Sequence, residues 1–122
     1  NTYLVQNKQI DFIYSLINKN YDKNDIVILG GDFNIEKNKI NNPKFIIDFF
    51  NNYKEVKTWS CKRPKIQLDN ILIKTDNSDI YKYIYQYYTS DSKLSDHLPL
   101  LCDLNINFNI DLLYPKSIKL DF

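Results

Sequence analysis

Apolar positions along the chain switch between two periods. From Val5 to Asn18 they fall at Val5, Ile10, Ile13, Leu16 and Ile17, with Lys and Gln between them, a stripe along one side of a helix. Asn1 to Leu4 ahead of it reads as the end of a strand. A polar turn over 18–25 follows, and then Ile26-Val27-Ile28-Leu29 runs without a break, the pattern of a buried strand. Asn41-Asn42-Pro43 is a helix start signal, an Asn cap with Pro in the first turn. Phe45, Ile46, Phe49 and Phe50 give that helix its apolar face, and Asn51-Asn52 ends it. Val56 to Trp59 is predicted as a short strand and Ser60 to Lys65 as a polar loop. Gln67 to Ile73 reads as a second core strand, Ile80 to Tyr88 alternates as a third, and Leu98 to Ile106 forms the last. The tail from Asn107 to Phe122 has little period.

Glycine, composition and charge narrow the picture. The only two glycines, Gly30 and Gly31, sit at the end of the first core strand, where they permit a sharp exit and a close backbone approach. The 122 residues suit one domain or part of one, and the 43% apolar content suits a packed core. A net charge of +1 sets up no global field for nucleic acid or an anionic membrane. Cys61 and Cys102 make no disulfide framework and no zinc spacing, and Cys102 reads as a small core residue. No apolar run approaches the ~18 residues that span a membrane. No signal segment opens the chain, so an intracellular compartment is the expectation, with the natural start upstream of Asn1.

The chemistry lies at the strand ends. Asp32 and Asn34 follow the glycines, Asp69 opens the second strand, and Asp96 with the only histidine, His97, precedes the last. Singly, each aspartate suits a turn or cap. Together they suit phosphoester hydrolysis, which needs hard oxygen ligands for Mg²⁺ or Mn²⁺, a carboxylate to take a proton from water, and an imidazole oriented by a carboxylate. Asp32 and Asn34 suit the water position, Asp96 the metal, and Asp69 with His97 the oriented pair. A serine triad fits less well, since no Gly-x-Ser-x-Gly is present, and one His with two Cys cannot fill the usual zinc sets.

Three of these stretches resemble motifs of the endonuclease/exonuclease/phosphatase superfamily. Gly31-Asp32-Phe33-Asn34 is similar to its Gly-Asp-Phe-Asn motif, Leu68-Asp69-Asn70-Ile71 to its Asp-Tyr-Ile or Asp-His-Ile strand, and Ser95-Asp96-His97 to its closing Ser-Asp-His. Asn1-Thr2-Tyr3-Leu4 resembles its Asn-Thr-His-Leu. Thr58-Trp59 followed by Arg63-Pro64 resembles bacterial members of unassigned substrate. Order and spacing agree from residue 1 to about residue 107, leaving 108–122 as a tail.

The resemblance implies an α/β fold, part of a four-layer α/β sandwich, here mainly one mixed or antiparallel sheet with two outer helices. It implies Mg²⁺- or Mn²⁺-dependent cleavage of phosphoesters, with Asp32 activating water, Asn34 at phosphate or metal, Asp69 orienting His97, His97 at the scissile phosphate and Asp96 at the metal. Tyr3 stands where the family often has histidine and would serve as a phenolic hydrogen-bond donor. The family's N-terminal half supplies a metal-binding glutamate, so this chain resembles the C-terminal half, with that half as its partner. Alone it would expose an apolar sheet face, with low solubility and low activity. A nucleic acid substrate would use the basic run Lys62, Arg63 and Lys65. A sphingomyelin-type head group would use an apolar loop around Trp59 or the tail. The competing reading is a non-catalytic, truncated or decayed domain.

Overall fold

A computed structural model of the chain describes residues 2–50, 61–62, 65–76, 81–88 and 93–106. Helix α1 spans Leu4–Asn20 and helix α2 spans Pro43–Phe50. The strands are β1 Val27–Asp32, β2 Cys61–Lys62, β3 Lys65–Ile66, β4 Asp69–Lys74, β5 Tyr81–Tyr88 and β6 Leu100–Ile106. Every pairing among the described residues is antiparallel: β1 with β4, β2 with β3, and β5 with β6. The fold is therefore mixed α/β, and its strands form three two-stranded ladders among the described residues. Ile73 of β4 packs with Cys102 and Leu104, which seats the β5–β6 pair against β4.

The two helices cover one face of the β1–β4 ladder. Asn42 caps α2: its Oδ1 accepts the Phe45 N–H at 2.9 Å, as the Asn-Asn-Pro signal predicts. Phe45, Phe49 and Phe50 of α2 are buried with Ile10 of α1, Leu72 of β4 and Ile35. Phe45, fully enclosed, touches the rings of Tyr14, Phe33, Phe49 and Phe50. Each such buried aromatic contributes about 1.5–3 kcal/mol, so this cluster is the main adhesive between helices and ladder.

Two polar groups join the layers. Asn7 is buried on α1, donating to the carbonyls of Tyr3 (3.0 Å) and Lys39 (3.2 Å) and accepting the Asn41 N–H at 2.8 Å. Asp48 of α2 accepts from the Tyr14 hydroxyl of α1 at 2.6 Å and from Lys74 Nζ of β4 at 3.3 Å. Burial raises the Tyr14 pKa, and the bond to Asp48 adds to the rise.

Three expectations are corrected. Thr2 and Tyr3 form a turn rather than a strand, with Tyr3 as the residue before α1. Asn7 anchors this first turn through Tyr3, and helical hydrogen bonding starts there. β1 is not buried on both faces: Val27 and Leu29 pack on the core, whereas Ile28 is 59% exposed. Among the described residues β1 pairs with β4 only, and the period-2 alternation of a strand leaves Ile28 on the uncovered side. The stretch read as a polar loop contains the β2–β3 ladder, with Cys61 paired to Ile66 and Lys62 to Lys65. The strand read at Val56 to Trp59, Arg63, and the tail fall outside the described residues. No helix among the described residues is long and apolar enough to cross a membrane.

Candidate active site

Antiparallel pairing brings the exit of β1 against the entry of β4. Asp32 therefore lies directly opposite Asp69 in the ladder, and the Phe33 N–H extends it by donating to the Leu68 carbonyl at 2.9 Å. Gly31 makes this exit at φ +152°, a conformation that L side chains rarely adopt. Asn34 follows in the left-handed region at φ 50°, which asparagine tolerates better than most residues. Its N–H donates to Asp32 Oδ1 at 2.8 Å and holds that carboxylate against the turn.

His97 completes the group. Its Nδ1 lies 2.7 Å from Asp69 Oδ2, and both side chains are about a quarter exposed. An ionised carboxylate only accepts, so the Nδ1–H donates and Nε2 is left for a ligand. The His97 N–H donates to Ser95 Oγ at 3.0 Å, which fixes the turn before β6. One ligand atom from each of Asp32, Asp69 and His97 falls within 4.8 Å of the others.

The electrostatics of this group are uneven. Two carboxylates opposed across a ladder repel, by roughly 1–3 kcal/mol at such separations. A cation among them removes that cost. The hydrogen bond to Asp69 raises the His97 pKa above 6.5; burial partly opposes this, and the charges of Asp69, Asp32 and Asp96 add to the rise. The imidazolium is thus one cation the site favours. The same three side chains offer donor atoms that could hold a cation, and carboxylate oxygens are the donors that suit hard divalent ions.

The residues singled out in the sequence occupy distinct places. Asp32, Asp69 and His97 converge. Asn34 and Asp96 are exposed and adjoin that cluster along the chain, two residues after Asp32 and one before His97. Tyr3 is half-buried against the aromatic core, where its carbonyl receives Asn7. Asp32 also rims a groove between α1 and β1, lined by Gln6, Gln9, Ile13, Leu29 and Phe33.

Sequence reasoning missed two supports of the site. Gln67 donates its carboxamide N–H to the Asp69 backbone carbonyl, and Cys61 pairs with His97 in an isolated antiparallel bridge. Neither carries a sequence signal beyond proximity to Asp69 or burial of a thiol. Compared with known proteins, the chain matches no family model, no curated protein and no solved structure.

Proposed function

We propose that the chain is a metal-dependent phosphoester hydrolase, corresponding to the C-terminal half of an endonuclease/exonuclease/phosphatase domain of the four-layer sandwich type. The observation that carries the proposal is the convergence of Asp32, Asp69 and His97 from three separate stretches, with His97 held by Asp69 at 2.7 Å. Carboxylates that merely cap turns have no reason to gather around the only imidazole.

Each residue has a role that its chemistry suits. Asp32 takes the proton from the attacking water. Asp69 holds His97 in the Nδ1–H form, which leaves Nε2 to act as an acceptor or, when protonated, as a donor to a phosphoryl oxygen. Asn34 supplies a carboxamide to the phosphate or the ion. Mg²⁺ or Mn²⁺, held by Asp32 with Asn34 and Asp96, would lower the cost of charge at phosphorus. The substrate is a phosphodiester of a nucleic acid or of a phospholipid head group.

Calorimetric titration with Mn²⁺ tests the ligand set. Wild type is expected to bind one ion, and Asp32→Ala to weaken that binding at least tenfold. Equal binding by both proteins would remove Asp32 from the ion and with it the proposal's arrangement.

A further inference from the structure

The His97–Asp69 pair joins residues 28 positions apart, and the site reading leaves open what sets their register. The β2–β3 hairpin touches both. Cys61 pairs with Ile66 on one side and with His97 on the other, so one backbone lies between them as the middle rung of a short three-part ladder. Ile66 leads through Gln67 and Leu68 directly into Asp69, and the Gln67 side chain ties back to the Asp69 carbonyl. The two halves of the pair thus hang from the two edges of one residue.

Burial separates Cys61 from its surroundings. Its relative exposure is 5%, whereas Leu94 on the segment leading to His97 is 97% exposed, and Ser95, Asp96 and Pro99 are exposed as well. Residues opposed in an antiparallel bridge have Cα atoms about 4.5–5.5 Å apart and side chains on the same face. The Cys61 and His97 side chains therefore emerge on the same face of the bridge. A hydrogen bond at 2.7 Å weakens steeply when its angle or distance drifts, so the pair depends on what holds the two residues in register.

We propose that Cys61 is the positioning residue of the His97–Asp69 pair, setting the imidazole's orientation through its bridge and its buried side chain. The consequence for turnover rests on the hydrolase reading; the consequence for the imidazole does not.

The test uses the full chain labelled with ¹⁵N-histidine. Only one histidine is present, so its ring nitrogens report the tautomer without overlap. At a pH where the ring is neutral, wild type is expected to hold the Nδ1–H form. Cys61→Gly is expected to shift the ring toward the Nε2–H form favoured by imidazole free in water, and Cys61→Ala to shift it part way. The alanine variant serves alone where the glycine variant does not fold. Phe49→Leu, which loosens the aromatic core away from the hairpin, is expected to keep the Nδ1–H form. An unchanged tautomer in the folded Cys61 variants, or an equal shift in Phe49→Leu, overturns the proposal. With a phosphodiester substrate, the folded Cys61→Ala protein is expected to lose at least fivefold in kcat with KM within twofold. Where wild type shows no turnover, a tautomer that still responds to Cys61 supports the positioning role, which stands apart from the hydrolase reading.

Discussion

His97 Nδ1 sits 2.7 Å from Asp69 Oδ2, and Asp69 in turn stands directly opposite Asp32 across the β1–β4 ladder. Three side chains from distant stretches thereby meet at one end of the sheet. Asp69 is the residue common to both relationships. Asp69→Asn keeps the shape but removes the charge, so it is expected to lower the His97 pKa toward its ordinary value. NMR titration of the single imidazole checks this.

The same shift fixes a pH dependence of stability. The folded-state pKa of His97 is raised above the unfolded value near 6.5, chiefly by the bond to Asp69. Its contribution is present in full below about 6.5 and is lost as pH rises through the higher folded value. Urea midpoints measured across that window are expected to fall with rising pH in wild type. In Asp69→Asn this slope is expected to flatten.

Asn7 carries structural weight out of proportion to its place in the sequence. Its carboxamide is buried and bonds Tyr3, Lys39 and Asn41, tying α1 to the segment that leads into α2. Asn7→Ala leaves the Lys39 carbonyl and the Asn41 N–H without that bond. Lys39 and Asn41 are themselves exposed to water, so each lost bond costs about 0.5–1.5 kcal/mol. Thermal or urea unfolding is expected to show a loss in that range or above it.

Phe45 joins the core to the site through Phe33, the residue after Asp32. Phe45→Ala empties a fully enclosed position and is expected to cost about 3–5 kcal/mol. Asn42→Ala, which removes the cap on the same helix and an exposed bond from Asn42 Nδ2 to Asp11, is expected to cost about 1 kcal/mol. Denaturant unfolding of the two variants side by side gives the ranking.

The helices and the acidic strand ends were legible in the sequence, because periodicity and capping are local properties. The Asn42 cap and the Phe45, Phe49 and Phe50 face stand where the pattern puts them. The opposition of Asp32 and Asp69 was not legible: it depends on register, which no local pattern encodes. Residues 61–66 read as a loop because a two-residue strand has no alternation to detect; Cys61 becomes a strand residue through Ile66 and His97. Thr2 and Tyr3 are strand-favouring residue types, yet the helix they precede begins at once at Leu4. Ile28 matched a buried strand in composition, but burial requires a second layer, which the described residues do not supply.

Hydrolysis of bis(4-nitrophenyl) phosphate by the purified chain, with Mg²⁺ or with chelator, addresses the central claim. Wild type is expected to release nitrophenolate only with the metal, and Asp32→Ala and His97→Ala are each expected to lose at least a hundredfold of that rate. Turnover indifferent to chelator, or equal in wild type and Asp32→Ala, would contradict the assignment of these residues to a metal-dependent phosphoester hydrolase.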